Sequence, residues 1–225
     1  MSRYIDVGTD QAPLAFRLRL PEDKNAPPIM MLHGLGGDEN AMWSLESALP
    51  KMGMVVAPRG PHDQGNGGYS WNPAIRAWPP PVSEFAHGVE LLEALLDYLE
   101  EDYEFQRNRM FLMGFSNGAA MSFSAAMTPI APPPAGIIAI SGHLPEGDLS
   151  LMNGVPVYWG HGNQDAFIPI DTARQDVGRL RQAAVPVTYC EADVGHKLGA
   201  DCLKNLRSWF SAEFSAPEMR DERTA

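Results

Sequence analysis

Residues Gly114-Phe115-Ser116-Asn117-Gly118 follow the pattern G-x-S-x-G. A short apolar run, Met110-Phe111-Leu112-Met113, stands before it, and good helix formers, Ala119-Ala120-Met121-Ser122-Phe123, stand after it. Strand, sharp turn and helix are expected in that order, which is the setting of a nucleophile elbow. A serine that turns from strand into helix in so few residues sits in a strained backbone conformation. Neighbouring side chains would collide there, so glycine is wanted on both sides. The turn lifts the Ser116 hydroxyl to the tip of the strand, and the helix N-terminus behind it offers N–H groups to developing negative charge. Outside that setting the same five letters describe only a structural Gly-Ser turn.

A serine hydroxyl is a poor nucleophile at neutral pH. It needs a general base, and the base needs an orienting carboxylate. Where such an elbow is used, the chain order is serine, then Asp or Glu, then histidine. Of the six histidines, His33, His62 and His87 precede Ser116. His143 precedes every acid expected at a strand end, and His161 leaves Asp148 as its late-chain partner. His196, in Asp193-Val194-Gly195-His196-Lys197 between the last strand and the last helix, is the best base. Asp165, in His161-Gly162-Asn163-Gln164-Asp165, is the chosen acid, with a plain Asx-turn as the alternative. Asp171 reads as a helix cap or first-turn residue, and Asp193 lies only three residues before His196. A tetrahedral intermediate also needs two oxyanion donors. The N–H of Asn117 is one, and that of Leu35, in His33-Gly34-Leu35-Gly36-Gly37, is the other. That glycine cluster lacks the third glycine of a dinucleotide fingerprint.

These residues need elements to position them. Ile29-Met30-Met31-Leu32, Met54-Val55-Val56-Ala57, Gly136 to Ser141 and Val155 to Gly160 read as buried strands, and Leu14 to Leu20 as a half-exposed one. Asp38 is placed as the N-cap of a helix running to about Leu49, with Glu39 in its first turn. Ser83 is placed as the cap of the next helix, where Phe85, Val89, Leu92, Leu96 and Leu99 form a core-facing stripe. Residues 170–184 and Leu198 to Phe214 are further helices around a last strand, Val185 to Glu191. The tail from Ser215 is expected to fray. Residues 58–82, rich in Pro and Gly and holding Trp71 and Trp78, are read as a binding-site loop. Alternating strands and helices imply one α/β domain spanning residues 1–225, built on a mostly parallel sheet with helices on both faces. Ligands bind at the carboxyl ends of such strands. Ser116, the Leu35 loop, Asp165 and His196 all follow expected strands.

A chain of 225 residues with 44% hydrophobic residues suits one domain with a sizeable core. A formal charge of −11 argues against nucleic acid and against an anionic membrane surface as partners. Cys190 and Cys202 make no C-x-x-C spacing and are expected to be two half-buried thiols. No apolar leader, no run approaching 18 apolar residues and no lipidation motif is seen, so a cytoplasmic protein without a stable membrane anchor is expected. No cofactor and no metal is called for.

Four segments together resemble the carboxylesterase/phospholipase family of small α/β-hydrolases, which includes acyl-protein thioesterases and lysophospholipases. They are Leu32-His33-Gly34-Leu35-Gly36-Gly37, then Pro58-Arg59-Gly60-Pro61 with Tyr69-Ser70-Trp71, then the elbow through Ala119, and finally the Asp165 and His196 segments. The resemblance implies an α/β-hydrolase fold with no large cap domain. It implies Ser116 as nucleophile, Asp165 as acid, His196 as base and Leu35 and Asn117 as oxyanion donors. The chain departs from the family pattern at Asn117, where glutamine is common, and at Lys197, where a small polar residue is common. The expected activity is hydrolysis of small to medium carboxylic esters through an acyl-enzyme. Trp71, Trp78 and Phe167 are assigned to the acyl site. Thioesters and lysophospholipids are alternatives within the same chemistry, and a non-catalytic binding protein on this fold is the alternative of another class. Apolar loops near Trp71 would allow a homodimer.

Overall fold

The apolar runs of the sequence become the middle of an eight-stranded sheet. A computed structural model describes residues 4–214, apart from 52, 75–76 and 130–131. The tail expected to fray lies outside the described residues. In chain order the strands are β1 (Tyr4–Val7), β2 (Phe16–Arg19), β3 (Ile29–Leu32), β4 (Val55–Pro58), the two-strand hairpin β5 (His62–Asp63) and β6 (Tyr69–Ser70), β7 (Phe111–Phe115), β8 (Gly136–Ile140), β9 (Val157–Gly162) and β10 (Val187–Ala192). The α-helices are α1 (Ala86–Tyr103), α2 (Asn117–Ala126), α3 (Ile170–Gln182) and α4 (Ala200–Phe214). The main sheet runs β1-β2-β4-β3-β7-β8-β9-β10. Strands β4 to β10 in that order pair parallel, while β1 and β2 are antiparallel additions at one edge.

The central strands are apolar at every position because both faces are covered. Parity divides their side chains. On β3, Met30 and Leu32 join Leu112 and the α1 residues Val89, Leu92, Leu95, Leu96 and Leu99. Ile29 and Met31 join Phe111, Met113 and the α4 residues Leu206, Trp209 and Phe210 on the other face. Helices α2 and α3 extend the first cover over β8 and β9, where Phe123, Val177 and Leu180 meet Ile137, Val157 and Trp159. Among the described residues, the long excursion beyond the carboxyl edge, 59–81, holds only the β5–β6 hairpin as regular structure. It is not a cap domain.

Three local expectations differ from the structure. The segment after Asp38 forms a 3₁₀ helix, Ala41–Ala48, with Asn40 at its N-cap position. Asp38 Oδ1 accepts from Asn40 N–H at 2.8 Å, closing an Asx-turn instead of capping an α-helix. Glu39 is drawn away by Arg59, which donates to both carboxylate oxygens at 2.6 Å. Ser83 lies inside a short 3₁₀ turn, Val82–Phe85, that leads into α1. The strand placed from Leu14 is mostly buried rather than half-exposed: even Arg19 on it is 1% exposed, because its guanidinium donates to Glu46 and to the carbonyls of Pro50 and Gly53.

The expectation of two free thiols is corrected. Cys190 on β10 and Cys202 on α4 form a disulfide, with Cα atoms 5.6 Å apart. No framework spacing marked them, because the pairing depends on how α4 folds back across β10. The bond closes a loop of separation 12 around His196. Closing a loop of this length restricts the unfolded chain and stabilises the fold by about 3 kcal/mol. The double substitution Cys190→Ser/Cys202→Ser is expected to lower the thermal midpoint by about 6–12 °C. A calorimetric scan of the two proteins checks it, and an unchanged midpoint would refute any stabilising role for the bond.

Candidate active site

The elbow is built by close backbone contact. Ser116 adopts φ 53° and ψ −113°, a sparsely populated region for a residue with a side chain. Its N–H donates to Ile140 O of β8 at 2.9 Å, and its carbonyl accepts from Ala119 and Ala120 to start α2. A Cβ on Gly114 would lie 2.2 Å from Gly118 O, and one on Gly118 would lie 2.0 Å from Leu32 O. Strand β7, helix α2 and strand β3 can therefore meet under Ser116 only where these two positions lack side chains.

Asp165 and His196, 31 residues apart in the chain, come together at the same edge. His196 Nδ1 lies 2.7 Å from Asp165 Oδ2. A carboxylate there accepts a hydrogen bond from Nδ1–H, which fixes the tautomer with the lone pair on Nε2. The other carboxylate oxygen, Oδ1, accepts from Phe167 N–H at 2.9 Å and Ile168 N–H at 3.0 Å. Burial alone would raise the Asp165 pKa, but the bonds from Ile168, His196 and Phe167 outweigh it and hold the group below the ordinary carboxylate value. The His196 ring stands between Phe115, at 4.8 Å between centroids, and Phe167, at 5.1 Å. Its loop is pinned to the acid loop: Gln164 N–H donates to Val194 O at 3.0 Å, and Gln164 Nε2 donates to Asp193 Oδ1 at 2.7 Å. That bond occupies Asp193. Asp171 faces solvent and pairs with Arg174.

The Leu35 loop lies beside the elbow, with Gly34 packed so close that a Cβ would come within 2.9 Å of the Phe115 ring. Gly36 (φ 79°) turns the chain, and Gly36 N–H donates to Tyr69 O at 2.9 Å. Neither Leu35 N–H nor Asn117 N–H donates a hydrogen bond among the described residues. The Leu35 side chain itself is 66% exposed.

Two buried histidines hold this architecture. His33 accepts from Gly60 N–H at Nε2, 2.9 Å, and places Nδ1 2.7 Å from Gly34 O. Its proton is therefore on Nδ1, and burial holds its pKa below the ordinary value, keeping it neutral. His161 accepts from Trp159 Nε1 at 3.4 Å and places Nε2 2.9 Å from Ile168 O. Burial lowers its pKa as well. Both nitrogens of each ring are committed to the scaffold. Sequence order pointed away from His33 and His161 as bases, but it gave no sign of these supporting roles.

The residues assigned to the acyl site separate. Trp71 has no exposed surface, so it cannot line a substrate groove. Its Nε1–H donates to His33 O at 2.8 Å, and its backbone N–H donates to Asn117 Oδ1 at 3.0 Å. Asn117 Nδ2 in turn donates to Asn72 Oδ1 at 2.8 Å. Asn117 thus ties the start of α2 to the loop, a strut that its side chain makes irrespective of its N–H. Neither the role of Asn72 nor that of Trp71 has a periodic signal in the sequence. Phe167 is 79% exposed beside His196. Trp78 is 52% exposed and lies over the His143 ring. The hollow of about 270 Å³ bounded by Leu20, Lys24, Met54 and Phe105 opens at the opposite, amino-terminal edge of the sheet.

A serine on a strained elbow, at the carboxyl edge of an eight-stranded sheet in this order, defines an α/β-hydrolase. The chain belongs to the phospholipase/carboxylesterase family, whose sequence profile matches residues 15–212. It is a hydrolase of the carboxylesterase type, acting on ester bonds. It is 27% identical to acyl-protein thioesterase 1 of Debaryomyces hansenii over 172 residues, 65% of this chain and 73% of that protein. The carboxylesterase of Bacillus cereus has a similar fold, with a TM-score of 0.78 at 22% identity over 91% of this chain and 97% of that one. A carboxylesterase from Mesorhizobium loti superposes with a TM-score of 0.81 at 16% identity, covering 93% and 99%.

Two outcomes follow from this geometry. Gly118→Ala drives a methyl group into Leu32 O and is expected to cost more than about 3 kcal/mol, read as a lower denaturant midpoint or insoluble protein. Asp165 has a depressed folded pKa, so its contribution to stability is present above its unfolded value of about 3.9 and is lost as pH falls through the folded value. The stability gap between wild type and Asp165→Asn should therefore shrink between about pH 5 and pH 2. Urea midpoints across that range measure it, and a constant gap would contradict the assignment.

Proposed function

We propose that the chain is a serine carboxylesterase in which Ser116, His196 and Asp165 act as nucleophile, base and orienting acid. The observation that carries this reading is the 2.7 Å His196–Asp165 contact at the edge where Ser116 is held in its strained turn. Ser116 Oγ attacks the ester carbonyl and gives its proton to His196 Nε2. The N–H groups of Leu35 and Asn117 receive the developing oxyanion. The intermediate collapses, His196 returns the proton to the leaving alcohol, and the acyl group stays on Ser116. Water, deprotonated by His196, then attacks the acyl-enzyme, and as the Ser116 Oγ–acyl bond breaks His196 returns the proton to Oγ and the acid is released. Exposed apolar side chains at Leu35 and Phe167, on either side of this chemistry, support an apolar acyl or alcohol group as the substrate.

Thioesters and lysophospholipids would be cleaved by the same steps, and the named thioesterase relative favours keeping the first in view. As to surroundings, no helix among the described residues is long and apolar enough to cross a membrane. The Cys190–Cys202 bond weighs against the cytoplasmic expectation, since disulfides persist mainly in oxidising compartments.

The test is a p-nitrophenyl ester series from acetate to palmitate, run beside Ser116→Ala. Wild type should turn over at least one member, with an optimum at short or medium chain. Ser116→Ala should lose about 10⁴-fold or more in kcat/KM while keeping its thermal midpoint within a few degrees. A fluorophosphonate probe should label wild type at Ser116 and leave the variant unlabelled. A folded wild type that neither turns over any ester nor takes the label would overturn the proposal in favour of a binding protein.

A further inference from the structure

His143 lies on the turn that follows β8, at the same edge as Ser116. The turn hugs the elbow. Ser141 takes φ 46° and donates its N–H to Gly160 O at 2.9 Å. Gly142 is packed so tightly that a Cβ would sit 2.3 Å from Ala119 Cβ and 3.5 Å from Ser116 O. The next residue, His143, is therefore within one side chain's reach of the elbow.

Its ring is buried, 2% exposed, and neither Nδ1 nor Nε2 has a hydrogen-bond partner among the described residues. The buried Ser141 Oγ also has no hydrogen-bond partner among the described residues. The contrast with the other buried histidines is sharp. His33 and His161 have both ring nitrogens satisfied by named groups. Burial pushes the His143 pKa down to about 4, so at neutral pH the ring is uncharged, with one N–H donor and one lone-pair acceptor. Each buried polar group left without a partner is destabilising, whereas an apolar ring of the same shape carries no such penalty. A purely structural position has no use for such a ring.

No side-chain hydrogen bond places His143; the backbone on both sides does. Leu144 N–H donates to Asp176 Oδ2 at 2.8 Å. Glu146 N–H donates to Pro80 O and Val82 N–H to Glu146 O, both at 2.9 Å. These bonds lay the Trp78 segment alongside. The Trp78 ring covers His143 at 4.5 Å between centroids and is itself half in solvent.

We propose that His143 is a specificity-determining residue, whose neutral imidazole under Trp78 hydrogen-bonds a hydroxyl group carried by the ester substrate, with Ser141 Oγ beside it. A hydroxyl is one donor and one acceptor, the complement of a neutral imidazole. The preferred substrates are then hydroxylated esters rather than plain alkyl esters. This inference rests on the esterase reading and deepens it.

The test compares matched esters. The acyl arm is p-nitrophenyl butyrate against p-nitrophenyl 3-hydroxybutyrate. The alcohol arm is ethyl butyrate against 2-hydroxyethyl butyrate. Wild type should prefer the hydroxylated member by about tenfold or more in kcat/KM in one arm, and that arm tells which part of the ester meets His143. His143→Phe should bring the ratio close to one. His143→Gln, which restores a donor and an acceptor, should keep part of it and serves if the Phe variant does not fold. A wild-type ratio near one in both arms overturns the proposal. So does a His143→Phe variant that slows both members equally and leaves the ratio intact. Labelling of Ser116 by the fluorophosphonate, read separately, distinguishes that failure from a failure of the esterase reading, in which wild type neither labels nor hydrolyses p-nitrophenyl butyrate.

Discussion

The carboxyl edge of this protein depends on how closely α2 approaches β3 beneath Ser116. At Gly118 the distance leaves no room for a methyl group, and Gly114 meets the same helix turn from the other side. This contact holds Ser116 in a conformation that costs about 1–3 kcal/mol and persists only where its surroundings over-determine it. Those surroundings are visible: Ser116 N–H on Ile140 O, Ala119 and Ala120 on the Ser116 carbonyl, and Asn117 fastened to Trp71 and Asn72. Trp71 then reaches back to His33 O at the end of β3. The Ser116 turn and the Leu35 loop are parts of one packed unit.

Histidine serves several purposes here, and hydrogen-bond partners decide which. His33 and His161 sit among groups that use both ring nitrogens, and burial keeps them uncharged. They behave as rigid polar connectors. His196 gives only Nδ1 to a carboxylate and keeps its ring partly open to solvent, an arrangement suited to moving a proton. His143 is as buried as the first two and has no partner among the described residues. Residue type alone does not separate these four.

The fold was legible where structure is local. Runs such as Ile29-Met30-Met31-Leu32 and Gly136 to Ile140 are apolar throughout, and only a strand covered on both faces needs that. The Leu92, Leu96 and Leu99 stripe is periodic, and it packs as a helix must. The elbow pattern identified the strand-to-helix turn because its glycines answer a steric demand within five residues. Legibility fell where a distant partner intervened. Asp38 and Glu39 look like a helix start, but an Asx-turn and Arg59 claim their carboxylates and a 3₁₀ helix forms. Trp71 in a Gly-rich loop looks like a ligand contact, but its indole N–H finds His33 O and the ring is drawn into the core. Strand β1 is too short and mixed to announce itself, and its pairing with β2 makes it a strand.

The sequence by itself determined the class of architecture, the elbow and the order of serine, acid and histidine along the chain. These follow from periodicity and turn sterics, which act over a few residues and leave their mark in residue type. Only the tertiary structure decided which groups meet. Asp165 and His196 are 31 residues apart, Trp71 and Asn117 are 46 apart, and Cys190 and Cys202 join through the return of α4 onto β10. A hydrogen bond or a disulfide depends on separations of a few ångströms in space. Neither composition nor spacing along the chain records such separations until the sheet is assembled and the loops at its edge are packed.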